Sequence, residues 1–301
     1  MIGTGSDRDL DELARLLEES GDFRVLRRLK LSELIKQSDG SKTRTGIFLD
    51  VESTGLDTRT SEIIEVGLMP FEYCSDGRIV SVGKPLHQLN EPSDPIPSEI
   101  TAITGLTDEL VAGHRLDIPV IEKFAGQADL VLAHNAAFDR PFAERISRIF
   151  ATKPWACTMC DVPWKAEGIE GRRLSDLLSC FQYFFEAHRA VDDCEAGIAL
   201  LTMLLPKSRE RVLSRVLQAA RTPTWRIFAD AAPFETKDTL KRRGYKWNPD
   251  RELGPRAWWK DVPSELVDDE VEYLSREIFQ RSVKPLMFEI TAFQRYSTRL
   301  R

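Results

Sequence analysis

The chain has 301 residues, which is long enough to bury a substantial core and to form one large domain together with a smaller one. Hydrophobic residues make up 42% and charged residues 30% of the sequence, proportions typical of a globular protein rather than a disordered or membrane-embedded one. No apolar run is long enough to span a bilayer, and the first residues lack the basic and apolar regions of a secretory signal. We therefore expect a cytoplasmic protein that has no membrane partner.

Residues 1–44 carry leucines at helical spacing and predict a short N-terminal helical segment of two helices, followed by a polar linker. Strand-like apolar runs then predict five strands, at Gly46–Glu52, Ile63–Phe71, Ile79–His87, Leu130–His134 and Trp155–Thr158. Helical spacing predicts four helices, at Asp117–Phe124, Phe138–Ile149, Leu174–Phe184 and Asp192–Leu205. This order of elements predicts an α/β domain over residues 45–205, with a mixed five-stranded sheet flanked by helices.

The remaining chain is more basic than the rest. Residues 206–260 contain fourteen Lys or Arg against six Asp or Glu, although the whole chain has a net charge of −6. We predict a connecting helix over residues 206–221 and a small, Trp-rich α+β domain over residues 222–301. Cations interleaved with aromatic rings can follow a phosphate backbone and stack on bases, and the candidate contacts are Lys241, Arg242, Arg243, Lys246 and Trp247. Tryptophans that form the core of the small domain, with merely solvating cations, are an equally good interpretation.

Two carboxylates end the first predicted strand. Asp50 and Glu52 are two residues apart, so they point to the same face of the strand. Like charges side by side are costly unless a cation lies between them, and carboxylate oxygens suit Mg²⁺ or Mn²⁺. By itself this spacing favours an acidic pair on a solvated strand face over a metal site.

Two further polar clusters follow. The strand at residues 130–134 ends in His134, Asn135, Phe138 and Asp139, and open sheets bind ligands at such strand ends. The third cluster, from His188 to Asp193, comes directly before a predicted helix. Asp192 in this cluster could simply cap the helix.

The chain resembles the DEDDh family of 3′→5′ exonucleases, which includes the proofreading epsilon subunit of bacterial replicative polymerase. The resemblance rests on five signature residues in the family's order, namely Asp50, Glu52, Asp139, His188 and Asp193. The resemblance covers about residues 45–205 and implies a ribonuclease H-like fold and two divalent cations, Mg²⁺ or Mn²⁺. It implies that Asp50 bridges both ions, that Glu52 and Asp193 complete the site on the nucleophile side, and that Asp139 holds the second ion. His188 would then be the general base.

The resemblance also implies a site for the terminal nucleotide, formed by Thr54, Gly55, Leu56, Thr104, Asn135 and Phe138. The expected partner is a nucleic acid with a free 3′ end, single-stranded DNA in the first place, with a possible polymerase or repair partner. RNA 3′ ends remain an alternative substrate, because spacing cannot show contacts to a 2′-hydroxyl. A nucleic-acid-binding or polymerase-accessory protein is the alternative from another class.

The histidines and cysteines outside this set are given structural interpretations. His134 is expected to support the strand end, and His87 and His114 to lie at the surface. Cys157 and Cys160 have the spacing of a metal-ligand pair, but no second such pair is present, so we interpret them as buried thiols rather than as a zinc site.

Overall fold

The computed structural model describes residues 7–35, 40–249, 251 and 254–299. Residues 1–6 and 36–39 of the predicted N-terminal helical segment lie outside the described residues, as do residues 250, 252–253 and 300–301 of the predicted small domain. The twelve strands of the described chain are β1 (Arg27–Arg28), β2 (Thr43–Ser53), β3 (Ile63–Cys74), β4 (Ile79–Val82), β5 (Leu86–Leu89), β6 (Leu130–Ala133), β7 (Trp155–Cys157), β8 (Tyr183–Phe184), β9 (Thr224–Ala229), β10 (Lys246–Trp247), β11 (Trp258–Pro263) and β12 (Met287–Ile290).

The α-helices of the same residues are α1 (Asp7–Glu19), α2 (Leu31–Leu34), α3 (Ser98–Thr104), α4 (Asp108–Val111), α5 (Ile118–Gly126), α6 (Ala136–Ile146), α7 (Ile149–Thr152), α8 (Leu174–Cys180), α9 (Ala190–Thr202), α10 (Val212–Arg221), α11 (Lys237–Arg242) and α12 (Val267–Tyr273). None of them is both long and apolar enough to cross a membrane.

The main sheet is mixed, as the sequence predicts. Its strands lie in the order β4, β3, β2, β6, β7, where β3 runs antiparallel to β2 while β6 and β7 run parallel to it. Helices cover both faces, which agrees with the ribonuclease H-like α/β fold that the resemblance implies. The sheet has six strands rather than five, because the predicted strand Ile79–His87 is divided into β4 and β5, which both pair with β3. The division falls at Gly83–Pro85, where proline has no N–H for a ladder.

The two faces of β2 bury different residues, as strand periodicity requires. Phe48 faces the layer of α8, α9 and α10, whereas Ile47, Leu49 and Val51 face α5 and α6. Asp50 is two residues from Phe48, so its side chain is directed to the α9 side. The alternation of side chains along β2 therefore directs Asp50 and Glu52 toward α9 rather than toward α5 and α6.

Helix α9 lies close to the sheet at two glycines. A Cβ on Gly197 would lie 2.1 Å from the ring of Phe48, and a Cβ on Gly67 would lie 2.8 Å from the carbonyl of Ala190 at the start of α9. Both contacts are too short for a side chain to be added without movement. The absence of side chains at Gly67 and Gly197 therefore brings the first turn of α9 against β2 and β3.

A second, four-stranded sheet has the order β10, β11, β9, β12 and is antiparallel throughout. One of its faces packs with α11 and α12 around Ile227, Leu240, Tyr245 and Leu274. After β12 the chain returns to the main sheet. There the buried guanidinium of Arg140 in α6 donates hydrogen bonds to the carbonyls of residues 292, 293 and 295.

The prediction of two helices before residue 44 is partly wrong. The structure has α1 and the single turn α2, but residues 27–28 form β1, which pairs in parallel with β8. The predicted helix Leu174–Phe184 ends at Cys180, and β8 begins three residues later at Tyr183. Both differences have one cause, because residues 27–28 and 183–184 form backbone hydrogen bonds with each other. This tertiary pairing overrides the helical propensity of each segment.

The predicted helix Phe138–Ile149 also differs from the structure. Helix α6 starts two residues earlier and ends at Ile146, and Ser147 is extended with a φ of −156°. The Ser147 hydroxyl donates to Glu122 and accepts from the backbone of Ile149, and a separate turn, α7, follows.

We predict that Gly197→Ala destabilises the protein by about 1–3 kcal/mol, because its Cβ would overlap the ring of Phe48. Urea unfolding followed by circular dichroism measures the change. Gly126→Ala is the matched control, since a Cβ there meets nothing within 4 Å. Adding Phe48→Leu to Gly197→Ala should recover part of the loss, and an unchanged midpoint for Gly197→Ala would contradict the packing described for α9.

Candidate active site

The acidic pair at the end of β2 has the geometry that its spacing predicts. Asp50 lies opposite Gly67 of β3 and Glu52 lies opposite Glu65. Both side chains are half-buried on the α9 side of the sheet. Because Gly67 leaves space opposite Asp50, the start of α9 can reach this pair.

Asp193 is in the first turn of α9 and holds the loop before it. Its carboxylate accepts hydrogen bonds from the backbone N–H groups of His188, at 2.7 Å, and Arg189, at 3.1 Å. His188 is exposed and has a φ of +72°, a left-handed conformation that costs a non-glycine residue about 1–3 kcal/mol. Asp193 therefore fixes the backbone that presents the imidazole. The first-turn position of Asp192 also shows that it is not the N-cap, which is Arg189.

Carboxylate oxygens of Asp50, Glu52 and Asp193 all lie within 4.8 Å of one another. Among the described residues this is the one group of three or more Asp, Glu, His or Cys side chains that could hold a metal ion. A set made only of half-buried carboxylate oxygens fits a hard cation such as Mg²⁺ or Mn²⁺. The residues present therefore fit the ion that the sequence predicts.

Asp139, from α6, is placed beside this cluster rather than within it. Its side chain is 3% exposed, and one oxygen accepts the backbone N–H of Val51 at 3.2 Å. This bond ties α6 to β2 between the two acidic residues. The other carboxylate oxygen of Asp139 has no hydrogen bond among those described, and it belongs to the same acidic edge.

The electrostatics of the cluster are unfavourable without a cation. Burial, followed by the charges of neighbouring carboxylates, raises the pKa of Asp50 well above its usual value. Burial together with Asp193 and Glu65 raises the pKa of Glu52 to about 8, and burial raises that of Asp193 to about 6. The pKa of Asp139 is raised by burial in the same way. Such crowding of buried acids is a mark of functional sites.

Glu65 is a participant that the sequence analysis missed. This fully buried side chain of β3 accepts hydrogen bonds from the guanidinium of Arg189 at 3.0 and 3.1 Å and from the Ala190 N–H at 2.9 Å. His87 contributes a further contact at 2.7 Å. Burial by itself raises the pKa of Glu65, but these donors outweigh it and the net pKa is lowered. Glu65 therefore remains an anion and anchors the residue that follows His188.

The only sequence signal for Glu65 is a charged residue within an otherwise apolar strand, which does not by itself specify a partner. Arg189, next to the predicted base, was likewise passed over. His87 is exposed, as expected, but it is also part of this network through Glu65.

The predicted nucleotide-binding residues Thr54, Gly55 and Leu56 form the turn after β2. The Thr54 hydroxyl accepts the N–H of Glu62, and a Cβ on Gly55 would lie 2.8 Å from the Ser61 hydroxyl. Leu56 is 85% exposed, which is unusual for a leucine. It stands at the edge of the acidic site with its side chain in solvent.

The other three predicted nucleotide-binding residues differ in position. Asn135 is exposed at the start of α6, and Phe138 is half-buried against Phe142, with ring centroids 5.0 Å apart. Thr104 is buried, and its hydroxyl donates to the carbonyl of residue 100 and accepts from the N–H of Leu106. The structure thus engages Thr104 in the end of α3, and its contact with a substrate stays a prediction.

His134 occupies the structural position that the sequence suggests. Its Nε2 lies 2.7 Å from the carbonyl of Arg172 and must donate to it, so Nδ1 accepts the Thr158 hydroxyl at 2.8 Å. Burial lowers the pKa of this histidine. With both ring nitrogens engaged, His134 holds the end of β6.

The prediction that Cys157 and Cys160 are buried thiols is correct for Cys157 and wrong for Cys160. Cys157 is buried and donates to the carbonyl of His134, whereas Cys160 is exposed. Neither thiol belongs to a group of three possible metal ligands among the described residues.

The five residues of the small domain that the sequence predicts to contact nucleic acid lie in α11, in β10 and between them. Lys241 and Arg242 are exposed in the last turn of α11. Arg243 pairs with Glu270 at 3.2 Å and lies over the ring of Tyr273 at 3.9 Å, so its charge is used within the small domain. Lys246 and Trp247 are neighbours in β10 and therefore point to opposite faces of the second sheet.

A half-buried cluster of carboxylates thus lies at the carboxyl edge of the main sheet, with the exposed His188 in the loop before α9, as in the pattern of the DEDDh exonucleases. The model of the exonuclease family RNase_T matches residues 47–201, which is half of the chain. The chain therefore belongs to this exonuclease family, and the resemblance to DEDDh 3′→5′ exonucleases is confirmed.

Curated relatives include the PolC-type DNA polymerase III of Thermotoga petrophila, which is 32% identical over 155 residues, 50% of this chain and 11% of the relative. The PolC-type enzyme of Streptococcus agalactiae is 28% identical over 173 residues, 55% of this chain and 11% of the relative. The chain thus spans about a tenth of the length of these relatives.

Two solved structures are also similar. Exonuclease X in complex with 5′ overhanging duplex DNA has 23% identity and a TM-score of 0.44, over 58% of this chain and 99% of that one. Exonuclease I of E. coli in complex with a dA16 oligonucleotide has 16% identity and a TM-score of 0.48, over 73% and 63% of the two chains.

We predict that the metal-free protein becomes less stable as pH rises from 5 to 8. The pKa of Glu52 is raised from 4.5 to about 8 and that of Asp193 from 3.8 to about 6, so the folded state binds protons more tightly than the unfolded chain. The stability from these protons is complete below the unfolded values and is lost as pH passes through 6 and 8.

The melting temperature in a chelator measures this loss. Mg²⁺ or Mn²⁺ should raise it more at pH 8 than at pH 5, because the cation replaces the missing protons. Asp50→Asn, which removes one repelling charge, should raise the metal-free melting temperature at pH 8 and weaken the effect of the metal. An equal metal effect at both pH values would count against a carboxylate-held cation.

We further predict that Glu65→Gln lowers kcat about tenfold with a smaller change in KM, a typical effect of losing a residue that orients an active-site group. The amide keeps the shape of the side chain but loses the charge that holds Arg189. Steady-state hydrolysis of a labelled oligonucleotide measures both constants. Glu72→Gln is the matched control, because Glu72 lies exposed in the same strand. Equal effects of the two substitutions would remove the role given to Glu65.

Proposed function

We propose that the protein is a metal-dependent 3′→5′ exonuclease that removes nucleoside 5′-monophosphates from the 3′ ends of single-stranded DNA. The observation that carries the proposal is the convergence of Asp50, Glu52 and Asp193 within 4.8 Å, next to the exposed His188, in a chain of the exonuclease family. Each of these groups has a task in phosphodiester hydrolysis.

Asp50, Glu52 and Asp193 would hold one divalent cation, and Asp139 with Asp50 would hold a second. When bound, two such cations increase the acidity of an attacking water and neutralise charge on the phosphate and the leaving oxygen. Two of the four carboxylates are held by backbone N–H groups, since Asp193 accepts those of His188 and Arg189 and Asp139 accepts that of Val51.

His188 would accept the proton of the attacking water. It is exposed in the loop between β8 and α9, and its backbone N–H is held by Asp193 of the acidic cluster, which supports this role. Histidine suits this task because its unperturbed pKa lies near neutrality. Arg189 and Glu65 restrict the loop from the other side.

The 3′-terminal nucleotide would lie on the turn after β2. Leu56 offers an exposed apolar surface to the base, and the exposed Asn135 can donate to or accept from the sugar or base. Glycine at position 55 allows the nucleotide to approach the backbone. We propose DNA rather than RNA as the substrate because the curated relatives are named as DNA polymerases.

Digestion of 5′-labelled single-stranded DNA with Mg²⁺ or Mn²⁺ tests the proposal. The wild-type chain should shorten the strand from its 3′ end and release nucleoside 5′-monophosphates, whereas a chelator should abolish the reaction. Asp50→Asn and His188→Ala should each lower the rate by at least about a hundredfold, the loss typical of a metal ligand or a general base.

The same assay separates the alternatives. Faster digestion of RNA than of DNA would transfer the proposal to RNA ends. Failure of the wild-type chain to shorten either polymer would overturn the enzymatic proposal, and equal rates in wild type and Asp50→Asn would attribute the digestion to a contaminant.

A further inference from the structure

A groove of about 790 Å³ lies between the exonuclease fold and the second sheet. One wall includes Ala137 and Cys160, and the opposite wall includes Arg226, Lys246 and Trp259. None of these residues belongs to the predicted catalytic set. The groove is therefore separate from the acidic cluster in its residues.

The groove nevertheless begins at the same edge of the main sheet as the acidic cluster. Ala137 is two residues before Asp139 in α6, directly after β6. Cys160 follows β7, the strand that pairs in parallel with β6. Because the carboxyl ends of parallel strands meet at one edge, a polymer that leaves the acidic site past α6 enters the groove.

The wall from the second sheet is formed by alternate residues of paired strands. Arg226 of β9 pairs with Asp261 of β11, and Trp259 is paired with Lys246 of β10, so their side chains share one face. The other face forms the core of the small domain. The sequence analysis left open whether the tryptophans pack or bind, and this alternation allows both.

Trp259 is the more open of two stacked side chains on the groove face, because Arg226 beside it is only 7% exposed and its charge is paired with Asp261. The guanidinium of Arg226 lies 3.6 Å from the ring centroid of Trp259 and is fixed by Asp261 at 2.7 and 2.8 Å. Trp259 itself is only half-buried. Arginine planes and indole rings are the surfaces on which single-stranded bases stack.

One lysine supplies unpaired positive charge to the groove. Lys246 is exposed, lies 5.4 Å from the Trp259 ring, and takes part in none of the ion pairs found among the described residues. Two other cations of the groove, Arg226 and Arg295, are paired with Asp261 and Asp161. Lys246 is therefore the cation of this wall that is available to a phosphate.

The two walls are locked together by the chain after β12. Tyr296 donates a hydrogen bond to Asp161 on the exonuclease side, and Arg295 donates to the carbonyls of Ala219 and Thr222. Arg140 in α6 holds the same segment. The groove is therefore a preformed feature of the fold, and a preformed site binds without the cost of ordering.

We propose that this groove binds the single-stranded DNA that lies on the 5′ side of the scissile nucleotide, with a phosphate at Lys246 and a base on the open part of the Trp259 ring, which Arg226 holds in place. This proposal rests on the proposed exonuclease function, because it assigns the track of the same substrate. It places substrate binding on the sheet face of the small domain rather than on α11, where Lys241 and Arg242 lie.

The test measures binding and cleavage separately. Fluorescence anisotropy with a labelled 12-nucleotide DNA, in the cleavage-deficient Asp50→Asn background with Mg²⁺, gives the dissociation constant. Lys246→Gln and Trp259→Leu should each weaken binding about tenfold, as expected for the loss of a phosphate or stacking contact. Lys246→Gln should also reduce the slope of log affinity against log salt by about one.

Matched variants and a short substrate complete the design. Lys284→Gln removes an exposed lysine of the same domain that does not line the groove, and it should leave binding unchanged. Trp247→Leu changes the neighbouring strand on the opposite face. In the active background, hydrolysis of a dinucleotide should remain within twofold of wild type in the Lys246 and Trp259 variants, because this substrate does not reach the groove.

Unchanged 12-nucleotide affinity in Lys246→Gln would overturn the proposal, and so would a larger loss from Trp247→Leu than from Trp259→Leu. A tighter complex with a 12-nucleotide RNA than with DNA would overturn the assignment to DNA. If the wild-type chain hydrolyses no dinucleotide or longer strand, the proposed function fails, while the anisotropy in the cleavage-deficient background still decides on the groove. Circular dichroism checks that each variant is folded.

Discussion

The mutual repulsion of three half-buried carboxylates is the constraint around which this structure is arranged. Asp50, Glu52 and Asp193 would separate or take up protons if their backbones were free to move. The fold prevents separation by making each carboxylate part of a regular element and by pressing α9 against the sheet. Because the three carboxylates repel one another when no cation is present, binding of a cation relieves this repulsion and is favoured by it.

The close approach of α9 depends on features that carry no chemistry of their own. Gly67 and Gly197 provide the space, and the buried anion Glu65 receives the N–H of Ala190 and the guanidinium of Arg189. These contacts set the position of Asp193 and, through its hydrogen bond, the strained backbone of His188. Rigidity of this kind is needed because hydrolysis requires the base and the metal ligands to hold their relative positions.

The second sheet is coupled to the same site through α6. Asp139 and Arg140 are adjacent, one directed to the acidic edge and the other to the carbonyls of the chain after β12. Removal of the small domain as a whole would take three carbonyl acceptors from the buried Arg140 guanidinium and leave it only Glu144, so single substitutions on the groove face separate binding from stability better than a truncation. The proposed DNA-binding groove and the acidic edge thus share α6 as a common wall.

The sequence by itself determined the main α/β order of elements, the identity of the five signature residues and the family to which they belong. These depend on local periodicity and on residue types in a fixed order, both of which are written in the chain. It did not determine that the third predicted strand would divide at residues 83–85, that residues 27–28 would pair with β8, or that Cys160 would be exposed. Only the tertiary structure gave Glu65 its partners and brought Lys246, Arg226 and Trp259 to one groove, because such contacts join residues far apart in the sequence through the pairing of strands and the packing of helices, and no local pattern encodes them.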